Sequence, residues 1–297
     1  MKLKHWFLET RPAFLLLSVV LVILGTAIAR SEGHFGWIKF ILTSLGLLLA
    51  HISVNVLNEY FDYKSGIDME TRRTPFSGGS GIITQGLLDP QSVYRFGVGC
   101  LAAAFSIGIY LTLISGWQLL PLIFLGGFVI YFYTPLLARW PVAELCAGLG
   151  LGTLPVLGVY FIQTSSYSLA ALVASLPSGI LTANLLFLNE FPDVEADAKG
   201  GRRHLVIALG RRKASRLYAA LTAMTYIFII GGAVSKLMPP VTLIALASMP
   251  FAAKAVITAF KYYDNLQQLI PALKANVITV LGTNGLLAFA YFLRCLQ

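Results

Sequence analysis

The sequence predicts an all-α polytopic membrane protein, with nine transmembrane helices in one bundle and residues 1–297 forming a single domain. Composition is the first observation behind this prediction. Of the 297 residues, 57% are hydrophobic and only 12% are charged, and the mean hydropathy is +0.76. Such values are typical of membrane proteins and exclude an ordinary soluble domain. The second observation is a succession of apolar segments, each about as long as a bilayer-spanning helix.

The apolar segments follow one another along the chain, and most of the polar connections between them are short. This pattern predicts antiparallel neighbours in a compact bundle. Lys2 and Lys4 precede the first segment, but no convincing small-residue cleavage site follows it, so we expect a retained helix. The nine segments are residues 12–30, 37–61, 92–114, 117–136, 141–162, 168–189, 214–235, 239–260 and 272–294.

The distribution of basic residues predicts the orientation in the cell membrane. If the N-terminus is cytoplasmic, the cytoplasmic segments hold 18 of the 22 lysines and arginines, all except Arg30, Lys39, Lys236 and Arg294. Because cytoplasmic loops are enriched in positive charge, we expect the N-terminus inside and the C-terminus outside. The net charge of +9 follows from the same bias, and no basic, aromatic-interleaved module indicates nucleic-acid binding.

Acidic residues are concentrated at the ends of the second and sixth segments. Eight of the thirteen lie within residues 59–70 and 190–197. Carboxylates near hydrocarbon are costly, so such a concentration indicates a functional site. Long connections, residues 62–91 and 190–213, follow the two stretches and are typical of functional caps. The matching positions suggest two related halves of the bundle, although the remaining sequence shows little internal similarity.

The first stretch has an amide and a carboxylate one helical turn apart. Asn58 and Asp62 lie on the same face of the predicted helix. Gly66 is expected to end this helix, which lets Asp68 fold back toward the same centre.

The second stretch repeats this spacing and extends it over two turns, from Asn189 through Asp193 to Asp197. Oxygen ligands of this kind suit Mg²⁺, for which Mn²⁺ is a plausible substitute. A single Asp-x-x-x-Asp could instead cap a helix or pair with arginine on a solvated loop. Two copies with asparagine at matching helix ends favour one shared metal site. The predicted ligands are Asn58, Asp62, Asp68, Asn189, Asp193 and Asp197.

Basic and glycine-rich segments follow both acidic stretches. Guanidinium groups match phosphate oxygens in pairs, and glycine backbone can approach an anion closely, so these segments indicate diphosphate binding. The alternative, that the charges only satisfy the cytoplasmic bias, is preferred for Arg211, Arg212 and Lys213. His204 is a secondary candidate, and Cys100 and Cys146 are expected to be packing residues, as is Cys295. The candidates for phosphate contact are Arg72, Arg73, Ser77, Lys199, Arg202 and Arg203.

Together these motifs resemble the UbiA superfamily of intramembrane aromatic prenyltransferases. The resemblance rests on the paired motifs Asn58-x-x-x-Asp62-x-x-x-Gly66-x-Asp68 and Asn189-x-x-x-Asp193-x-x-x-Asp197. It extends over nearly the full chain. The further matches are Arg11-Pro12, Ser77-Gly-Gly-Ser-Gly-Ile82, Tyr133-Thr-Pro135 before Arg139, and Gly158-Val-Tyr160-Phe-Ile-Gln163.

The resemblance implies Mg²⁺-dependent transfer of a polyprenyl group from its diphosphate to an aromatic acceptor in the bilayer. It implies catalytic roles for Asp62, Asp68, Asp193, Asp197, Tyr133 and Arg139. It implies substrate contacts by Arg11, Asn58, Lys64, Arg72, Arg73, Ser77, Asn189, Lys199, Arg202, Arg203 and Tyr160. Aromatic faces such as Tyr131, Tyr133 or Tyr160 would shield an allylic cation from water.

The spacing of Gly66 and Asp68 is similar to the branch of the superfamily that prenylates 1,4-dihydroxy-2-naphthoate in menaquinone synthesis. The alternative acceptors are 4-hydroxybenzoate, geranylgeranylglyceryl phosphate and a tetrapyrrole. A cation-coupled transporter is a second alternative, but its acids are expected near the bilayer midplane rather than beside long basic loops. A CDP-alcohol phosphotransferase is disfavoured because its Asp-Gly and Ala-Arg pattern is absent from the sequence.

Overall fold

The computed structural model describes residues 2–71 and 73–295, and every regular element within these ranges is helical. Within residues 2–71 and 73–295, fourteen α-helices follow one another. They are α1 (Lys2–Glu9), α2 (Pro12–Ser31), α3 (Trp37–Ser65), α4 (Ile67–Glu70), α5 (Pro90–Ser115), α6 (Leu120–Phe132), α7 (Ala143–Gly148), α8 (Leu154–Thr164), α9 (Leu169–Asn189), α10 (Val194–Lys199), α11 (Leu205–Leu209), α12 (Arg211–Val234), α13 (Met249–Tyr262) and α14 (Leu266–Arg294).

Eight helical stretches in the described ranges are long and apolar enough to cross a membrane, so the protein is a multi-pass membrane protein. The fourth predicted segment forms a shorter apolar helix, Trp117–Phe132, which would span only about 24 Å at 1.5 Å per residue. The eight stretches are Pro12–Ser31, Trp37–Ser65, Pro90–Ser115, Ala143–Thr164, Leu169–Asn189, Arg211–Val234, Pro240–Tyr262 and Leu266–Arg294.

Local sequence signals fix where several of these helices begin and end. The Asp89 carboxylate accepts the Ser92 N–H at 2.8 Å and caps α5, and Ser168 caps α9 in the same way. Gly66 follows α3 with φ of 81°, a left-handed conformation that suits glycine. The prediction that Gly66 ends this helix is therefore confirmed, and the chain turns at once into the short helix α4.

Small residues bring α7 and the following turn close to α9. A Cβ atom added at Gly148 would lie 2.6 Å from the Gly179 carbonyl oxygen, and one added at Gly152 would lie 2.6 Å from the Gly179 Cα. Backbones in membrane bundles approach this closely only where side chains are absent. The position of α9, which ends at Asn189, therefore depends on these three glycines.

Buried hydrogen bonds link α9, α12 and α14 in the apolar interior. The Ser178 hydroxyl donates to the Asn284 side-chain oxygen at 2.6 Å, and the Asn276 amide donates to the Asn184 carbonyl at 3.0 Å. The Tyr218 hydroxyl donates to Asn276 at 3.0 Å. Polar pairs of this kind join helices where the hydrophobic effect offers little preference for one partner.

A π-helical turn, Leu149–Thr153, separates α7 from α8. Leu151 leaves helical geometry there, with φ of −118° and ψ of 23°, and its carbonyl oxygen accepts the Thr182 hydroxyl at 3.1 Å. A side chain of α9 thus satisfies a carbonyl group that the irregular turn releases. Gly150 and Leu151 of this turn line the cavity described below.

Candidate active site

One cavity collects side chains from both acidic stretches. Its volume is about 210 Å³, and it lies at the end of the bundle where α3 meets α4 and α9 meets α10. The two long connections contribute to its wall as well. The predicted site residues that line it are Arg11, Asn58, Asp62, Asp68, Ser77, Tyr133, Asn189, Asp193, Asp197 and Arg202.

Arg202 joins the two acidic stretches directly. Its guanidinium donates to Asp197 Oδ1 at 2.8 Å through Nη1, and its Nη2 pairs with Asp62 Oδ1. Asp62 is 7% exposed and Asp197 is 2% exposed, so the ion pairs are buried. Carboxylates 135 residues apart in the chain therefore share one cation, which brings α3 and α10 to the same point.

Among the predicted metal ligands of the second stretch, two have an oxygen that remains available within the described part of the chain. Neither Asn189 Oδ1 nor Asp193 Oδ1 has a hydrogen-bond partner there, although both are buried. Buried acceptors without partners are costly unless a ligand satisfies them. With Asp62, Asp68 and Asp197 on the same cavity, these oxygens form an acidic set that suits a hard divalent cation.

The glycine-rich connection folds over the cavity and is held by acids that the sequence analysis did not assign. The Ser80 N–H and hydroxyl donate to Glu59 at 2.8 Å, and the same hydroxyl lies 2.9 Å from Glu9 Oε2. Gly79 adopts φ of 71° beside Glu59, a conformation that disfavours other residues. Glu59 sits beside Asn58 in the motif, whereas Glu9 gave no signal in the sequence.

Three further predicted residues line the cavity through different contacts. Asn58 donates from its amide to the Thr134 hydroxyl at 3.0 Å. Arg11 has a left-handed backbone, with φ of 54°, and its Nη1 lies 3.7 Å from Glu59 Oε1. Tyr133 directly follows α6 and lines the cavity.

Other predicted residues lie near the cavity without lining it. Lys64 and Arg139 line a neighbouring pocket, on the other side of Asp62 and Arg202. Lys199 pairs with Glu70 at 2.7 Å, an exposed contact between α10 and α4.

Three basic residues and one tyrosine complete the predicted set. Arg203 and Arg73 have exposed side chains, and Arg73 contacts Thr84. Arg72 lies outside the described residues. The structure does not bring Tyr160 to the cavity, because it lies near the far end of α8, where its hydroxyl donates to Glu32 at 2.5 Å.

Burial and mutual repulsion raise the pKa of two of these carboxyls in the metal-free protein. Burial, with Asp62 and Glu59 nearby, raises the pKa of Asp68 to about 8. Burial, with Asp197 nearby, raises the pKa of Asp193 to about 7. Burial also acts on Asp197, but hydrogen bonds from His204 and the charge of Arg202 hold its pKa below the ordinary value.

These shifts predict that the affinity for Mg²⁺ rises with pH. Asp68 and Asp193 hold protons below about pH 8 and 7, and a metal binds only the ionised form, so binding must displace those protons. Affinity should fall as pH falls through this window, by about tenfold per pH unit for each proton displaced. Calorimetry in buffers of different ionisation enthalpy measures the proton release directly. Affinity independent of pH between about 6 and 8 would contradict the assignment.

An apolar groove adjoins the cavity and runs between α3, α5, α6 and α8. The cavity and the groove share Gly126, Ile130, Gly150 and Leu151, so they are continuous. The groove extends away from the acidic residues as far as Leu119 and Ile162, and it is lined almost entirely by apolar side chains. An amphiphilic ligand with an anionic head and a long hydrocarbon tail matches this arrangement.

Comparisons with known proteins agree with this geometry. The model of the UbiA prenyltransferase family matches residues 18–277. A 1,4-dihydroxy-2-naphthoate octaprenyltransferase of Bacillus subtilis is 31% identical over 273 residues, which cover 91% of this chain and 86% of that protein. Two solved structures have the same fold at 16% identity. The apo UbiA homolog from Aeropyrum pernix has a TM-score of 0.71 and covers 91% of this chain and 95% of its own. The Archaeoglobus fulgidus homolog bound to GPP and Mg²⁺ has a TM-score of 0.68, with 97% and 99% coverage.

Proposed function

The chain belongs to the UbiA prenyltransferase family and is an intramembrane prenyltransferase, and from this premise we propose that its acceptor is 1,4-dihydroxy-2-naphthoate. The donor would be a polyprenyl diphosphate. The observation that supports the proposal most strongly is the single cavity in which Arg202 joins both acidic stretches, with an apolar groove attached. We choose this acceptor because the Bacillus subtilis relative is a 1,4-dihydroxy-2-naphthoate octaprenyltransferase.

The residues proposed to hold Mg²⁺ are Asn58, Asp62, Asp68, Asn189, Asp193 and Asp197. Their side chains line one acidic cavity, and the buried Oδ1 atoms of Asn189 and Asp193 have no partner in the described ranges. Bound Mg²⁺ would neutralise the diphosphate and stabilise it as a leaving group. Mn²⁺ accepts similar oxygen ligands and is proposed as a substitute. The Archaeoglobus fulgidus homolog, solved with GPP and Mg²⁺, supports a divalent cation in this fold.

The chain's own cations would hold the diphosphate from the side of the long connections. Arg202 and Arg11 both line the cavity, and each contacts a carboxylate of the acidic stretches. We propose that the other predicted cations attract the anionic head of the donor by their charge. They are Lys64, Arg72, Arg73, Arg139, Lys199 and Arg203. The backbone at Ser77 and Gly79 would approach the phosphate closely, because no side chain intervenes at the glycine.

The acceptor ring would enter the same cavity beside Tyr133. Two hydroxyl groups enrich the naphthalene ring with electrons, so it can attack the allylic carbon of the donor. The new carbon–carbon bond forms at the carbon that carries the carboxylate, and diphosphate and carbon dioxide leave. The Tyr133 side chain, which lines the cavity, would help to shield the cationic intermediate from water, and its ring face would stabilise the positive charge.

We also propose the membrane topology. The short helix Trp117–Phe132 would complete a bundle of nine helices in a single domain, with the N-terminus cytoplasmic and the C-terminus outside. The cavity would then open to the cytoplasm, where both substrates' polar groups are accessible. The excess of lysine and arginine in the corresponding connections supports this orientation.

A competition between acceptors tests the proposed substrate. Purified protein with Mg²⁺ and limiting donor is given dihydroxynaphthoate, 4-hydroxybenzoate and geranylgeranylglyceryl phosphate together, and the products are separated by mass. We expect the prenylated naphthoate to dominate by at least about 100-fold, because a site built for one set of polar groups rejects analogues that leave those groups unpaired. Product from either rival with none from the naphthoate would overturn the acceptor while leaving prenyl transfer intact.

Gly126 lies where the cavity meets the apolar groove, so a substitution in this passage tests whether the isoprenoid tail of the donor lies in the groove. Gly126 has open space around its Cβ position, so Gly126→Leu should fold normally yet narrow the passage. The leucine side chain would keep part of a long isoprenoid tail out of the groove, and each methylene group that is no longer buried costs about 0.8 kcal/mol. We therefore expect kcat/KM for a long-chain donor to fall at least about tenfold. Dimethylallyl diphosphate should be affected much less. Gly99→Leu is the matched control, since Gly99 is exposed on α5 and its Cβ position is equally open. An equal loss for short and long donors would place the tail elsewhere.

A further inference from the structure

Three titratable side chains from different parts of the chain meet at the wall of the acidic cavity, and two of them, Glu190 and His204, line it. Glu144 is at the start of α7, Glu190 directly follows α9, and His204 precedes α11. They are 2%, 7% and 1% exposed, and one ligand atom from each lies within 4.8 Å of the other two. None of the three belongs to the set proposed to hold Mg²⁺.

Hydrogen bonds outside the cluster fix the orientation of its members. His204 Nε2 lies 3.1 Å from Asp197 Oδ2, and since a carboxylate accepts, the ring donates its Nε2–H there. Glu144 Oε1 accepts the Leu205 N–H at 2.7 Å. A histidine that gives one N–H to a carboxylate and turns its other nitrogen inward has the arrangement typical of metal-binding imidazoles.

With a neutral His204 ring, whose one N–H is at Nε2, the inward-facing atoms are all acceptors. His204 Nδ1 lies 3.4 Å from Glu190 Oε2, and no residue within 2–71 and 73–295 gives a hydrogen bond to His204 Nδ1, Glu190 Oε2 or Glu144 Oε2. Buried lone pairs that converge in this way repel one another unless a positive charge lies among them. Arg202 donates its hydrogen bonds to Asp62 and Asp197 rather than to any of these three atoms.

We propose that Glu144, Glu190 and His204 bind a transition-metal dication of the Zn²⁺ class, through ligands separate from those proposed for Mg²⁺ in the same cavity. Imidazole favours Zn²⁺ over Mg²⁺, which prefers oxygen ligands and retains its waters. Three protein ligands with one open position are a familiar Zn²⁺ arrangement. The bound ion would join α7 to the segments after α9 and α10, and it would position Asp197 through His204.

Zinc binding in the presence of excess Mg²⁺ tests this proposal without any turnover, so the result is independent of the proposed reaction. With the oxygen-only ligands occupied by Mg²⁺, equilibrium dialysis should leave one Zn²⁺ per wild-type chain. Loss of one ligand costs at least as much as loss of its supporting hydrogen bond, so His204→Thr and Glu144→Gln should bind at least about 100-fold more weakly. His34→Thr, at an exposed histidine, is the matched control and should retain the ion.

The absorption spectrum of a Co²⁺ complex distinguishes the loss of a metal ligand from the loss of the fold. His204→Cys keeps a Zn²⁺ ligand, so its Co²⁺ complex should gain a sulfur-to-cobalt charge-transfer band that the wild type lacks. Two results would overturn the proposal. One is a wild-type chain that retains no Zn²⁺ in excess Mg²⁺, which would mean that Glu144 and Glu190 only share a proton. The other is unchanged binding in both His204→Thr and Glu144→Gln.

Discussion

Replacing Asp62 by asparagine is expected to lower kcat/KM by about 10³-fold while leaving the fold intact. The substitution keeps the shape of the side chain and can still accept from Arg202, but it removes one negative charge from the acidic cavity. Loss of a charged metal contact that acts in the transition state typically costs several kcal/mol. Turnover of a prenyl diphosphate at saturating Mg²⁺ measures the loss.

Asp89→Asn provides the matched control for this experiment. Asp89 is an exposed residue that caps α5, and asparagine caps a helix equally well, so activity should stay near that of the wild type. Thermal midpoints of the two purified variants should lie close together. An Asp62→Asn protein that turns over at a near-normal rate would show that this carboxylate holds neither metal nor substrate.

Replacing Arg202 by glutamine is expected to destabilise the metal-free protein by about 3 kcal/mol. The guanidinium is buried between Asp62 and Asp197, and removal of one partner from a buried ion pair leaves uncompensated charge. A bound divalent cation would supply positive charge at the same point, so Mg²⁺ should recover much of the loss. Thermal unfolding with and without Mg²⁺ measures both effects.

The neighbouring Arg203 allows a direct comparison. Its side chain is exposed, so Arg203→Gln should change the unfolding midpoint very little under either condition. Arg202→Lys keeps the charge but cannot contact both carboxylates with paired N–H groups. Its unfolding midpoint should therefore lie between those of Arg202→Gln and the wild type. If Mg²⁺ does not reduce the difference in unfolding midpoint between Arg202→Gln and the wild type, the cation does not bind beside Asp62 and Asp197.

Hydropathy and helix periodicity predicted the main features of the fold and the way the two acidic stretches meet. The all-helical membrane architecture is confirmed, and eight of the predicted segments form helices of sufficient length. The structure brings Asp62 and Asp197 to one arginine, as a shared site requires. This was predictable because matching helix ends of a short-looped bundle lie at the same membrane face.

Contacts that depend on tertiary structure were not predictable. Glu9 and Glu144 are isolated acids in the sequence, and only the fold brings them to Ser80 and to His204. Tyr160 was predicted to contact substrate but lies away from the cavity, against Glu32. The motif places it on a helix but does not say at which end of the bundle that part of the helix lies. Periodicity gives the face of a residue, whereas its depth depends on how neighbouring helices are staggered.

The π-helical turn at residues 149–153 has a consequence for how this enzyme could change its donor during evolution. Gly150 and Leu151 line the acidic cavity and the apolar groove at once, so in the proposed binding mode a single stretch of backbone would adjoin both the head and the tail of the donor. Mutations that reshape the groove at this turn would also disturb the binding of the donor's diphosphate. Adaptation to a longer or shorter isoprenoid is therefore expected at the distant end of the groove, near Leu119 and Ile162, where selection can act on tail length alone.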